Sequence, residues 1–179
     1  YGSGNGEDPI REDHALETAD PYGLSKICQE EIGRYFSRVH DLDVVLVRPF
    51  FVIGPGKTGD VCSDFAREIV GIEAGNKEPI SVGNLDVYRD FLDIEDAIEA
   101  MLLLSRRGMG GEAYNICSGH AQSIQSILDM LVGHSSKAKI AVSVAETKQR
   151  INDLTFRIGC CEKLKSLGLE VNWTESRPL

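Results

Sequence analysis

Val44-Val45-Leu46-Val47 is a short apolar run fenced by Asp43 on one side and by Arg48-Pro49 on the other. It is too short for a helix and rich in β-branched side chains, so it reads as a strand. No polar residue alternates within it. A strand of that kind is buried on both faces, the usual condition of a parallel sheet. Parallel strands are joined by crossovers, most often helices. The run therefore predicts an α/β fold.

The rest of the chain supplies the other elements. Residues 1–19 are polar and turn-rich, with Gly2, Gly4, Gly6 and Pro9, and read as a loop. Asp20 can cap a helix that Pro21 is suited to start. Leu24, Ile27, Cys28, Ile32, Tyr35, Phe36 and Val39 follow at helical spacing, and the helix should end near His40. After the Val44–Val47 strand comes a glycine-rich loop, Gly54-Pro55-Gly56 through Gly59. A second helix is marked by Val61, Phe65, Ile69 and Ile72, with Asp60 as its cap and Gly75 at its end. Strands are expected at Pro79–Val82 and Val87–Leu92. Asp93 caps a third helix carrying Ile94, Ala97, Ile98, Met101 and Leu102. A strand at Glu112–Cys117, a helix capped by Ser123, an alternating strand at Lys139–Val144 and a short helix from Cys160 to Leu167 complete the order. No internal repeat, low-complexity segment or interdomain linker interrupts it.

The charge narrows the function. The chain has 28 acidic against 19 basic residues, a net charge of −9, which argues against nucleic-acid binding. A few placed arginines still suffice for a diphosphate. The five cysteines, Cys28, Cys62, Cys117, Cys160 and Cys161, fit no zinc spacing, and His14, His40, His120 and His134 are scattered, so no metal is expected. Reduced thiols point to a cytoplasmic protein. No apolar run reaches membrane-spanning length and no signal peptide is visible.

Tyr22 and Lys26 stand four apart on the best-marked helix, which stacks them one turn apart on one face. A phenol normally titrates near pH ~10 and is a poor catalyst at neutral pH. A neighbouring ammonium favours the phenolate, and such a pair can pass a proton to or from a sugar oxygen. The spacing alone arises by chance in many helices.

Its surroundings carry more information. Tyr1-Gly2, Pro21-Tyr22-Gly23-Leu24-Ser25-Lys26, Arg48-Pro49-Phe50 with Gly54-Pro55-Gly56, Arg89-Asp90-Phe91 and Tyr114-Asn115-Ile116 occur in that order. Together they resemble the extended short-chain dehydrogenases, also described as the NAD-dependent epimerase/dehydratase family. The resemblance implies the C-terminal half of a Rossmann-type fold with its small α/β substrate-binding domain. Residues 1–50 would end the Rossmann domain and carry the active-site helix. Residues 51–179 would mainly bind a nucleotide sugar, with part of the chain returning to the Rossmann sheet.

Several stretches, among them Val82-Gly83-Asn84-Leu85-Asp86 and Tyr114 to Gly119, look most like members that reduce the 4-keto group of a GDP-linked 6-deoxy-hexose with NADH or NADPH. On that footing Tyr22 and Lys26 are catalytic. The same two residues, with Pro49 and Val52, touch NAD or NADP. Phe51, Val61, Val82, Asn84, Arg89, Arg150 and Asp153 line the nucleotide sugar: Arg89 and Arg150 clamp the diphosphate, Asp153 meets the ribose, and Val82 and Asn84 lie against the guanine. The Gly54–Gly56 loop turns beside nicotinamide and sugar. Phe51 departs from the family, which usually has a substrate-binding asparagine there. The resemblance also implies a homodimer formed through the Tyr22 helix.

A 4-epimerase or 4,6-dehydratase of the same superfamily and a non-catalytic nucleotide-sugar-binding module remain alternatives. The family's dinucleotide fingerprint and catalytic Ser or Thr fall upstream of Tyr1 in the resemblance. These 179 residues by themselves are therefore expected to lack dehydrogenase activity. The Val44–Val47 strand is expected to pair with strands from that upstream half.

Overall fold

The structure, a computed structural model, describes residues 1, 8–18, 20–76, 79–137, 139–145 and 155–168. Helices α1 (Pro21–His40), α2 (Val61–Glu73), α3 (Ile94–Arg107), α4 (Ile124–Gly133) and α5 (Glu162–Lys165) alternate with short strands. The strands are β1 (Leu46–Pro49), β2 (Phe51–Ile53), β3 (Ile80–Val82), β4 (Tyr88–Arg89), β5 (Phe91–Asp93), β6 (Ala113–Ile116), β7 (Gln122–Ser123), β8 (Val142–Val144) and β9 (Phe156–Arg157). β1 pairs with β6, β2 with β5, and β3 with β8, all parallel. β4 lies between an antiparallel β7 and a parallel β9. The α/β class expected from the strand run is the one observed.

The chain changes partner at Phe50. Leu46–Pro49 runs along β6, the Phe50 N–H donates to the Ile116 carbonyl, and the Phe51 N–H donates to the Asp90 carbonyl as pairing with β5 begins. Two separate cores flank this point. One gathers Ile53, Phe65, Ile69, Ile80, Val82, Val87, Phe91, Ile124, Ile127 and Leu128. The other gathers Leu92, Ala97, Ala100, Leu104, Tyr114, Ile116 and Leu164.

Four helix starts stand where the sequence puts them. Asp20, Asp60, Asp93 and Ser123 each cap a helix through a side-chain oxygen that accepts a backbone N–H. Three expectations shift. The first strand begins at Leu46 rather than Val44, and it is not buried on both faces. Leu46 and Arg48 turn toward α1, while Val47 and Pro49, on the opposite pleat, are exposed. The expected Val87–Leu92 strand is two, broken at Asp90. The β8 strand is exposed along its length instead of alternating. Among the described residues no helix is long and apolar enough to cross a membrane.

Candidate active site

The N-terminus of α1 is fixed tightly. The Gly23 N–H donates to Asp20 Oδ1 at 2.7 Å, and Thr18 Oγ1 accepts from the Asp20 N–H at 3.2 Å. A Cβ on Gly23 would come within 2.1 Å of Thr18 Oγ1, so only glycine lets the preceding loop lie against this turn. Tyr22 is 72% exposed. The Lys26 ammonium lies 5.4 Å from the Tyr22 ring centroid and donates to Gln29 Oε1 at 3.3 Å. The structure thus brings together the phenol and ammonium that the spacing predicts, both open to solvent.

The face of α1 differs from the one its apolar spacing suggests. The helix has no buried residue. Leu24, Ile32, Tyr35, Phe36 and Val39 are exposed, while Ile27, Glu30, Gly33, Arg34 and Ser37 are the half-buried positions. Charged and small residues therefore make up most of the sheet-facing side, and the apolar stripe faces outward.

The other candidate positions spread along the second half of the site. Pro49 is exposed at the carboxyl end of β1, and Val52 in β2 packs against the second core. Phe51 stacks edge-on against Phe91 at 5.0 Å, with the Lys57 ammonium 4.3 Å from its ring centroid. Val61 opens α2, half-buried against the first core. Val82 is 1% exposed inside that core, so its side chain offers no surface to a ligand. Asn84 is exposed and its Oδ1 accepts from the Asp86 N–H. Arg89 is half-buried in β4, with Nη1 donating to the Tyr88 carbonyl at 2.8 Å. Arg150 and Asp153 lie outside the described residues.

Two buried polar nodes were not legible as such. Asp90, 1% exposed, accepts from the Ser118 N–H at 2.6 Å and the Ser118 hydroxyl at 2.7 Å on Oδ1. Its Oδ2 accepts from the Gly119 and Gly159 N–H groups at 2.9 and 3.0 Å. Burial pushes this carboxyl above its ordinary value, and the four hydrogen bonds oppose that. The second node joins Glu30, Arg48, Tyr1 and Asn115. Burial pushes the Tyr1 phenol up to about 12 against the pull of Arg48, so at neutral pH its hydroxyl keeps its proton and donates to Asn115. The one signal for Asp90 was its place in Arg89-Asp90-Phe91. For the Glu30 node, nothing in the spacing linked residues 18 and 47 positions apart.

A phenol–ammonium pair on a capped helix, beside a parallel sheet whose strand changes partner, defines the class. Residues 1–117 match the model of the NAD dependent epimerase/dehydratase family, and the chain belongs to that family. It is 36% identical over 125 residues to a GDP-6-deoxy-D-mannose reductase of Pseudomonas aeruginosa, covering 69% of this chain and 41% of that protein. It is 28% identical over 159 residues to a GDP-6-deoxy-D-talose 4-dehydrogenase of Aggregatibacter actinomycetemcomitans, covering 88% of this chain and 52% of that protein. The solved structure of RMD from Pseudomonas aeruginosa complexed with NADPH superposes with a TM-score of 0.83 at 29% identity, over 89% of this chain and 53% of the other. The α/β fold with its parallel strand pairs matches Rossmann-type extended short-chain dehydrogenases over about half of their length. The chain spans about half the length of the relatives it matches.

Proposed function

We propose that this chain is the acid–base and sugar-binding part of an NAD(P)-dependent nucleotide-sugar oxidoreductase that reduces the 4-keto group of a GDP-linked 6-deoxy-hexose. The observation that carries this reading is the Tyr22–Lys26 pair, open to solvent on a capped helix, in a chain 36% identical to a GDP-6-deoxy-D-mannose reductase.

The residues fit a nicotinamide dinucleotide. The Lys26 ammonium is bonded to an amide oxygen rather than a carboxylate and keeps donors for ribose hydroxyls. Pro49 stands at the carboxyl end of β1, beside the change of partner at Phe50, where open α/β sheets bind ligands. Val52 follows in β2. The dinucleotide would supply the hydride for the carbonyl carbon. Tyr22 gives its proton to the carbonyl oxygen as negative charge grows there. Lys26 stabilises the phenolate left behind. Arg89 and Arg150 hold the diphosphate, whose oxygens match a guanidinium fork. Asp153 takes the ribose hydroxyls, and Asn84 meets the base. Phe51 cannot supply an amide hydrogen bond, so the sugar meets a ring face with the Lys57 ammonium above it.

The two separate cores support a division into a Rossmann part ending near residue 50, rejoined by later elements, and a substrate-binding part. The exposed apolar stripe of α1 supports a homodimer formed through that helix. The five cysteines are all free, as a cytoplasmic protein would have them.

The test uses the natural reading frame that contains this chain, supplied with a GDP-4-keto-6-deoxy-hexose and NADPH. Oxidation of NADPH is expected, and Tyr22→Phe should lower kcat by at least ~100-fold. Full turnover by Tyr22→Phe overturns the assignment. With a GDP-hexose that carries hydroxyls at C4 and C6 supplied instead, inversion at C4 or loss of water with no net change in the cofactor replaces the reductase with one of its relatives.

A further inference from the structure

A helix with no buried residue must still be held in register with its sheet. Between α1 and β1 Leu46 packs against Gly33, and beside that apolar contact the holding is ionic. The Glu30 and Arg48 side chains are only 12% and 10% exposed. Arg48 Nη2 and Nε donate to the two Glu30 carboxylate oxygens at 2.5 and 2.9 Å, and Arg34 Nη2 adds a bond at 2.9 Å. Arg48 Nη1 turns the other way, donating to the Tyr1 hydroxyl at 2.7 Å and the Glu12 carbonyl at 2.8 Å. The Tyr1 hydroxyl donates to Asn115 Oδ1, and the buried Asn115 amide donates to the Ile10 carbonyl at 2.8 Å. One guanidinium thus ties α1 through β1 to β6 and to the segment before the helix. A bidentate fork fixes distance and angle together, which a sliding apolar contact does not.

Glu30 stands four residues after Lys26 and eight after Tyr22, one and two turns along the same stripe. A carboxylate four residues after a lysine lies within reach of its ammonium, although the reverse order pairs more strongly. Here two guanidinium groups occupy that carboxylate, and Lys26 turns instead toward Gln29 and the Tyr22 ring.

We propose that Glu30 and Arg48 are positioning residues for the Tyr22–Lys26 pair: their bidentate contact sets where α1 sits over the sheet, and Arg48 keeps Glu30 from capturing Lys26. This rests on the acid–base role proposed for Tyr22.

The experiment compares Glu30→Gln, Arg48→Met, the double variant and Tyr22→Phe in the natural protein, with Glu31→Gln as an exposed control on the same helix. Three quantities are read: kcat, affinity for GDP, and hydrogen exchange of the α1 amides from Gly23 to Gln29. Glu30→Gln is expected to lower kcat by ~10- to 100-fold, as a displacement of about an ångström can. GDP affinity should stay within about twofold, because the proposed diphosphate and base contacts lie on other elements. Exchange at Gly23–Gln29 should rise, with Glu31→Gln unchanged on all three. Arg48→Met should be worse than Glu30→Gln, and adding Glu30→Gln to it should recover part of kcat, since the competing carboxylate is then gone. If Arg48→Met fails to fold, Arg48→Gln replaces it, which also removes the cation facing Glu30, with the same order expected.

Unchanged kcat or unchanged α1 exchange in Glu30→Gln overturns the inference. So does a parallel fall of kcat, GDP affinity and protection across the whole protein, which is what a purely structural role predicts. Loss of turnover in Tyr22→Phe with none in Glu30→Gln defeats the inference alone. Full turnover in Tyr22→Phe defeats the functional reading and this inference with it.

Discussion

Replacing Asp90 by asparagine removes one carboxylate oxygen and nothing else of comparable size. Four donors converge on the native side chain: the N–H and hydroxyl of Ser118 on Oδ1, and the N–H groups of Gly119 and Gly159 on Oδ2. Only an ionised carboxylate accepts from all four, since a neutral acid must point its own proton at one of them. An amide keeps one oxygen and turns an NH2 toward the remaining donors. Two buried N–H groups are then unpaired, at ~1–3 kcal/mol each, or about 2–6 together. Removing a buried charge returns part of this, because burial was already pushing the carboxyl upward. The expected net loss is about 2–4 kcal/mol. Urea denaturation at neutral pH, followed by circular dichroism, measures it from the change in midpoint at constant slope. A loss below ~0.5 kcal/mol would refute the reasoning, because it would mean that Asp90 is already neutral and the amide its isostere.

Three further outcomes are expected. Burial favours the neutral form of Glu30, but the bonds from Arg48 and Arg34 override it and hold its carboxyl below the ordinary value. The stability it contributes is therefore present above the ordinary carboxylate pKa and lost as pH falls through the depressed one. The stability gap between the native protein and Glu30→Gln should shrink on acidification below about pH 4, and a gap that widens refutes this. Gly23→Ala should destabilise the protein by ~1–2 kcal/mol through the lost cap. Adding Thr18→Gly removes the collisions with both Oγ1 and Cβ, so a thermal melt should regain part of the loss, and no recovery defeats the steric account. Among the thiols, exposed Cys28 should react with an aromatic disulfide reagent in the folded protein, while buried Cys117, pushed up by its neighbour and by burial, waits for unfolding. Cys62 should also lag, since burial pushes it up to about 12, and equal rates would contradict the burial pattern.

What the sequence showed and hid follows from range. Asp20, Asp60, Asp93 and Ser123 cap helices whose first turn they touch, so the signal and the structure share the same few residues. Strands β4, β7 and β9 are two residues each, too short to show a period, and they exist because they pair with one another across the chain. The Tyr22–Lys26 pair was legible because a helix brings residues four apart together. Asp90 meets Ser118 across 28 residues and Gly159 across 69, and no local rule connects them. The apolar spacing of α1 did identify a helix but not its orientation: periodicity reports that a face is apolar, not what covers it.

The buried polar nodes occupy the places where apolar packing specifies least. Arg48 lies just before the change of partner at Phe50, and Asp90 accepts the Phe51 N–H through its carbonyl just after it, while its carboxylate gathers the loops at Ser118 and Gly159. A core of aliphatic side chains tolerates small slips, because one methyl contact replaces another. A forked ion pair and a carboxylate with four donors do not, since every slip leaves a buried polar group unpaired. Tyr22 sits on the helix that one node anchors, and Arg89 is the residue preceding the other. Proton transfer requires placement within a fraction of an ångström, and on the reading proposed for Tyr22 these directional bonds add to the Leu46–Gly33 packing in setting that placement.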